Sequence, residues 1–242
     1  MRLLLISNSG APFLEHCKAQ IDGFLGSVRT VGYITAARLD DAEARFRTAS
    51  NALASVGLIA EHMEVDDHIV DRLRTARSVF IGGGNTYALL SRLRSSRALD
   101  VLRERVRDGM PYIGTSAGSN VAGPTILTTN DWNVVGTQHF DAIGAVHWNI
   151  NPHYKESDPL MAAGSETRDQ RIREFMLMND RPVLAIEESA AVRVEGETAT
   201  IVGTGRAKLF RPGHAPVWLQ PGDLVPTDGV PAAPLITTQG PH

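Results

Sequence analysis

The first 116 residues alternate between short apolar runs and stretches with helical spacing, and this alternation restricts the fold more than any other feature. The apolar runs at 3–6, 28–34, 58–63, 78–81 and 111–113 are too short to be buried helices. Each leads into polar or glycine-rich residues, which is how buried strands end. Helical spacing covers 13–25, 40–56, 67–75, 87–93 and 98–108, with Gly57 placed as a C-cap. Strands separated by helices pair in parallel through right-handed crossovers, so the expected fold is α/β, a doubly wound and mostly parallel sheet.

The second half changes character. A strand-like run at 145–150 leads into Asn151-Pro152-His153-Tyr154, where proline cannot continue a central ladder, so His153 is expected just past a strand end. A charged helix is expected over 164–175, then a buried strand at 182–186 running into Glu187-Glu188-Ser189. From Val192 onward short strands alternate with turns, predicting a hairpin-rich C-terminal part. Residues 221–242 are rich in Pro, Gly and Thr and read as a loose tail. No repeat or low-complexity linker divides the chain, so 1–242 is expected to form one domain.

The net charge of −3 comes with no basic block, which argues against nucleic acid and anionic membrane surfaces as partners. No run approaches the length of a membrane span, and the apolar start at 3–6 is shorter than a signal-peptide core, so a cytoplasmic location is expected. The single cysteine, Cys17, excludes an intrachain disulfide and a cysteine metal site; its amphipathic surroundings predict a packed core thiol rather than a nucleophile. No metal or other cofactor is expected, and a homodimer is compatible with the composition.

In a doubly wound sheet the functional loops leave the C-terminal ends of strands. One such loop is Gly114-Thr115-Ser116-Ala117-Gly118, a Gly-x-Ser-x-Gly pattern between a strand and a helix. A turn this tight needs small neighbours; it lifts the serine hydroxyl out of the sheet and leaves the Ala117 N–H at a helix start, where an oxyanion could sit. The bland alternative is a βα turn with serine as a cap. The other loop is Gly82-Gly83-Gly84-Asn85-Thr86, which lacks the Lys-Ser/Thr of a P-loop and is expected to supply a second oxyanion donor, Gly84 N–H. A nucleophilic serine needs a base and an orienting acid. Of the eight histidines, His139, His147 and His153 remain once helical, early and terminal positions are set aside, and His153 is best placed. Glu188 at a strand end and Asp131 in a polar loop are the candidate acids, with Glu187 also open.

Taken together, Phe80-Ile81-Gly82-Gly83-Gly84-Asn85-Thr86, Tyr112-Ile113-Gly114-Thr115-Ser116-Ala117-Gly118, Thr129-Asn130-Asp131, Asn149-Ile150-Asn151-Pro152-His153 and the helix from Glu166 to Glu174 resemble the peptidase E family, the alpha-aspartyl dipeptidases. The match extends to about Glu188 and is poor beyond Val192; Glu187 stands where the family pattern would have proline. The resemblance implies a fold akin to class I glutamine amidotransferases and a metal-independent serine peptidase. It places the nucleophile on Ser116 and the base on His153, and it leaves the acid open between Glu188 and Asp131.

The implied substrate is a small peptide, a dipeptide with N-terminal aspartate. Arg168 and Arg171, three apart on one helix, could form the guanidinium fork such a carboxylate wants. They could equally pair with Glu166, Asp169 or Glu174 on their own helix. Asn85 and Asp131 are candidates to touch the substrate amino group or to shape its pocket. Rival readings are a cyanophycinase-like β-aspartyl peptidase, a serine esterase, and a non-catalytic binding protein of the same fold.

Overall fold

The structure, a computed structural model, describes residues 1–156 and 165–226. The strands are β1 (Arg2–Ile6), β2 (Thr30–Ile34), β3 (Ile59–His62), β4 (Val79–Ile81), β5 (Tyr112–Thr115), β6 (Asn149–Tyr154), β7 (Val183–Glu187), β8 (Ala190–Glu195), β9 (Thr198–Gly203), β10 (Ala207–Phe210) and β11 (Val217–Leu219). The helices are α1 (Lys18–Leu25), α2 (Ala42–Ala54), α3 (Ile69–Thr75), α4 (Thr86–Ser95), α5 (Ala98–Arg107), α6 (Ala117–Asn120) and α7 (Arg168–Met178).

A seven-stranded sheet has the order β3-β2-β4-β5-β1-β8-β9. Its first five strands pair in parallel, and the hairpin β8–β9 adds antiparallel to β1. β1 lies inside this sheet, so both its faces are covered and its sequence is an unbroken apolar run. Leu3 and Leu5 enter one core and Leu4 and Ile6 another, all at most 1% exposed. Each such side chain contributes about 1.5–3 kcal/mol by leaving water. α1 and α2 cover the Leu4 face through Ile21, Phe24, Ala49 and Leu53. α3, α4 and α5 cover the Leu3 face. The expected α/β fold with a mostly parallel sheet is therefore found.

Local pattern left one feature undetermined. β6 and β7 do not join the main sheet. They pair in parallel with each other and, with β10 and β11, form a second sheet of order β11-β10-β7-β6. One face of it, with Ile150, Leu184, Ile186 and Leu209, packs into the Leu3 core. The other face is covered by α7 through Ile172 against Tyr154, Val183 and Phe210. His153 is also not beyond the strand end: Pro152 and His153 lie within β6, in a register irregularity between Asn151 and Tyr154 that opens the ladder where proline has no N–H to give. His147, expected inside a strand, is exposed in the bend before β6.

The chain at 221–226 is not loose. Ile201 N–H donates to Asp223 O at 2.9 Å and Val225 N–H to Ala199 O at 2.8 Å, pinning it along β9. The remainder of the expected tail, 227–242, lies outside the described residues, as does Gly164, the expected start of the charged helix. No described helix is long and apolar enough to cross a membrane.

Cys17 is 4% exposed, and burial pushes its thiol up to about 12. The folded protein is expected to resist iodoacetamide at neutral pH and to react once unfolded in denaturant. Mass spectrometry of the two samples checks this, and rapid alkylation of the native protein would contradict the packing.

Candidate active site

β5 delivers Ser116 at the turn into α6. The residue has φ 53° and ψ −110°, a region L-residues rarely occupy, held by its surroundings. Its neighbours must be glycine. A Cβ on Gly114 would lie 2.4 Å from Gly118 O, and one on Gly118 would lie 2.0 Å from Ile81 O. The turn therefore packs against β4 with no room for a methyl group.

Ser116 Oγ lies 2.7 Å from His153 Nε2. His153 Nδ1 lies 3.1 Å from both carboxylate oxygens of Glu188, just beyond β7. With the Nδ1 proton directed at the carboxylate, Nε2 is left to accept from the serine hydroxyl. The hydrogen bond from His153 holds the Glu188 carboxyl below its usual range; burial opposes this, and the imidazole charge and the Asn8 amide reinforce it. Glu187 pairs instead with Arg206, accepting from its backbone N–H (2.8 Å) and its guanidinium (2.8 and 3.2 Å).

Two residues of the loop after β1 complete this geometry. The Ser7 hydroxyl donates to Ile186 O at 2.9 Å and accepts from His153 N–H at 2.8 Å, fixing the base across the two sheets. Asn8 donates its amide to Glu188 Oε2 and accepts from Gly10 N–H at 3.0 Å. Sequence reasoning missed both; the available signal was a polar cluster, Ser7-Asn8-Ser9, at the C-terminal end of a parallel strand.

Asp131 does not join His153. Its Oδ2 accepts from Thr86 N–H (2.7 Å), Thr86 Oγ1 (2.6 Å) and Thr129 Oγ1 (3.1 Å), so the carboxylate sits at the N-terminus of α4, where the helix dipole favours it. Asn85 caps the same helix, accepting from Ala88 N–H at 2.9 Å, and its amide donates to Trp132 O at 2.9 Å. Both ends of that side chain are engaged, and among the described residues neither Asn85 nor Asp131 hydrogen-bonds to Ser116 or His153. Gly83 and Gly84 are both closely packed, against different neighbours. A Cβ on Gly84 would meet Ala37 O at 2.3 Å, whereas one on Gly83 would lie 3.1 Å from Ser116 Cβ, and Gly83 shares a cavity with Ser116. Ala117 is the first residue of α6, and the N–H of a first helical residue has no intrahelical acceptor.

The two α7 arginines part company. Arg171 is exposed and pairs with Glu166 at 3.0 Å. Arg168 is half-buried, and burial followed by the nearby Arg171 charge pulls its pKa down. It donates to Asn130 Oδ1, and the Asn130 amide donates to Pro152 O at 2.9 Å, beside His153. Both arginines border a cavity of about 340 Å³ that also contains His153 and Glu188. α7 is held there by Asp169, which accepts from Tyr154 Oη at 2.6 Å and from the buried Lys208 ammonium at 2.9 Å. Among the described residues no three His, Cys, Asp or Glu side chains gather as a metal site.

Two sheets of an α/β fold that bring a glycine-flanked serine, a histidine and a carboxylate into one hydrogen-bonded chain have the arrangement of a serine hydrolase. Comparison with known proteins agrees and narrows it: residues 3–202 match Peptidase family S51, and the chain belongs to that family. It is 40% identical over 219 residues to peptidase E of Streptomyces coelicolor, covering 89% of this chain and 90% of that one. It is 40% identical over 215 residues to the Drosophila melanogaster protein named "Probable alpha-aspartyl dipeptidase", covering 86% and 89%. The crystal structure of a peptidase from an acI-B1 actinobacterium superposes with a TM-score of 0.70 at 16% identity, over 93% of this chain and 96% of that one, a likeness of fold. The chain is a peptidase, and its fold is consistent with the class I glutamine amidotransferase-like fold expected for the family.

Proposed function

We propose that the protein is a cytoplasmic dipeptidase that hydrolyses Asp-Xaa by acyl transfer through Ser116, His153 and Glu188. The observation that carries this reading is the relay Ser116 Oγ–His153 Nε2 (2.7 Å) and His153 Nδ1–Glu188 (3.1 Å) in a member of family S51. The relatives named peptidase E and alpha-aspartyl dipeptidase supply the substrate class. His153 takes the Ser116 proton as Oγ attacks the carbonyl carbon of the aspartyl residue. The Gly83 and Ala117 N–H groups bind the oxyanion; such a donor contributes about 2.7–4 kcal/mol in serine hydrolases. His153 then protonates the leaving amine, and water, deprotonated by His153, releases aspartate. Arg168, half-buried beside His153, binds the substrate β-carboxylate; Arg171, already paired with Glu166, adds charge at the rim.

Hydrolysis of Asp-Leu, Asn-Leu, β-Asp-Leu and Ala-Leu, each with EDTA present, tests the reading. Asp-Leu is expected to be cleaved at least about tenfold faster than Asn-Leu, since a hydrogen bond to a charged partner contributes about 1.5–3 kcal/mol. Preference for β-Asp-Leu would move the protein to cyanophycinase-like chemistry, and folded protein inert toward all four would overturn the assignment.

A further inference from the structure

A substrate of the form Asp-Xaa carries two carboxylates, and the residues around Ser116 hold two separate arginine groups. Arg168 and Arg171 approach His153 from α7. Arg38 and Arg45, from the loop after β2 and the first turns of α2, line a different cavity of about 240 Å³ together with Phe13, Gly83, Ser116 and His153. Neither α7 arginine lines that cavity, and neither Arg38 nor Arg45 lines the one beside Arg168.

The two residues of the second pair differ. Arg38 is already held by Asp40, at 2.5 Å. Arg45 is half-buried, with its guanidinium 5.1 Å above the Phe13 ring, and makes no ion pair among the described residues. A partly desolvated guanidinium stacked on an aromatic face and lacking a carboxylate partner is poised for an incoming anion. The cavity also contains His153, which hands its proton to the leaving amine. Ser116 lines this cavity and not the one beside Arg168, whereas His153 borders both. With the aspartyl side chain at Arg168, the leaving residue is assigned to this cavity, and its carboxylate is two bonds beyond the α-nitrogen that receives the proton.

Resting on the aspartyl dipeptidase reading, we infer that Arg45, backed by Arg38, binds the free C-terminal carboxylate of the residue after aspartate and so makes the enzyme selective for dipeptides. Amidation or extension of that residue removes the charge Arg45 reads. Arg45 belongs to substrate recognition and leaves the chemistry at Ser116 untouched.

Steady-state kinetics on Asp-Leu, Asp-Leu amide and the p-nitroanilide of aspartate, with wild type, Arg45→Gln and Arg45→Lys, tests the assignment. Wild type is expected to favour Asp-Leu over its amide by about tenfold or more in kcat/KM. Arg45→Gln is expected to raise KM for Asp-Leu by about tenfold with kcat nearly unchanged, and to leave the amide and the anilide as they were. Arg45→Lys retains part of the preference, since it keeps the charge and loses the fork. Equal wild-type rates on Asp-Leu and its amide would overturn the assignment, as would an equal loss on all three substrates in Arg45→Gln. A collapse of Asp-Leu against Asn-Leu discrimination in Arg45→Gln would also overturn it, by giving Arg45 the side-chain carboxylate. In each of these cases normal anilide hydrolysis by wild type leaves the peptidase reading standing; folded wild type inert toward every substrate overturns both.

Discussion

Replacing Ser116 by Ala is expected to lower kcat/KM for Asp-Leu by roughly ten-thousandfold to a millionfold, the range seen when the nucleophile of a serine hydrolase is removed. The loss follows from geometry. Among the described residues only Ser116 Oγ lies within hydrogen-bond reach of His153 Nε2, at 2.7 Å, and the elbow holds it in a strained backbone conformation that alanine also has to adopt. Stability should change little, because the hydroxyl removed is not part of the packing that holds the turn. That packing comes from Gly114 and Gly118 against backbone on the facing elements. Circular dichroism and thermal unfolding of the variant should match wild type while Asp-Leu hydrolysis disappears. A variant retaining a tenth of the activity would remove Ser116 from the mechanism.

Glu188→Gln is expected to cost roughly ten-thousandfold in kcat, against a far smaller effect for Asp131→Asn. Glu188 accepts from two donors, His153 Nδ1 and the Asn8 amide. An amide in its place has one acceptor oxygen. If that oxygen takes the Asn8 hydrogen bond, the new NH₂ faces His153 and stabilises the tautomer whose Nε2 carries the proton, which cannot accept from Ser116. Among the described residues the Asp131 carboxylate accepts hydrogen bonds only from Thr86 and Thr129, so its loss is expected to loosen the start of α4 and leave the tautomer alone. The same carboxylate shapes stability at acid pH. The native pKa of Glu188 lies below its ordinary 4.5, so its contribution is full above that value and is lost as pH falls through the lowered one. Thermal unfolding measured from neutral pH down through the carboxylate range should show this slope in wild type and a shallower one in Glu188→Gln. Comparable kcat losses for Glu188→Gln and Asp131→Asn would overturn the assignment of the acid.

Local chemistry made the first half of the chain readable. A strand such as β1, buried on both faces, has to be an apolar run, and the elbow at Ser116 has to be flanked by glycine, so both announce themselves in neighbouring residues. The second half depends on distant partners. The pattern at 182–186 signals a buried strand but not which sheet receives it, because either sheet presents the same apolar face. Alternation along a strand says that Glu187 and Glu188 point apart, yet only Arg206 on one side and His153 on the other decide which is which. The Thr129-Asn130-Asp131 motif was visible as a motif, while its work as a brace between α4, β6 and α7 exists only in three dimensions. Arg45 gave no signal at all: on a helix rich in Ala and Arg, a charge facing a cavity has the same neighbours in sequence as one facing solvent.

The division of the relay between two sheets has a consequence for how the enzyme comes into being. Ser116 follows β5, in the parallel part of the main sheet that comes from the first half of the chain, whereas His153 and Glu188 arrive on β6 and just after β7, in the second sheet. Ser7 ties the two sheets together at the base itself. During synthesis the hydroxyl is therefore made well before anything that can activate it, and a displacement of the base by about 1 Å is enough to cost about a hundredfold in rate. A half-made or misdocked chain carries an ordinary serine. On the proposed mechanism, hydrolytic power is expected only once both sheets have formed and docked.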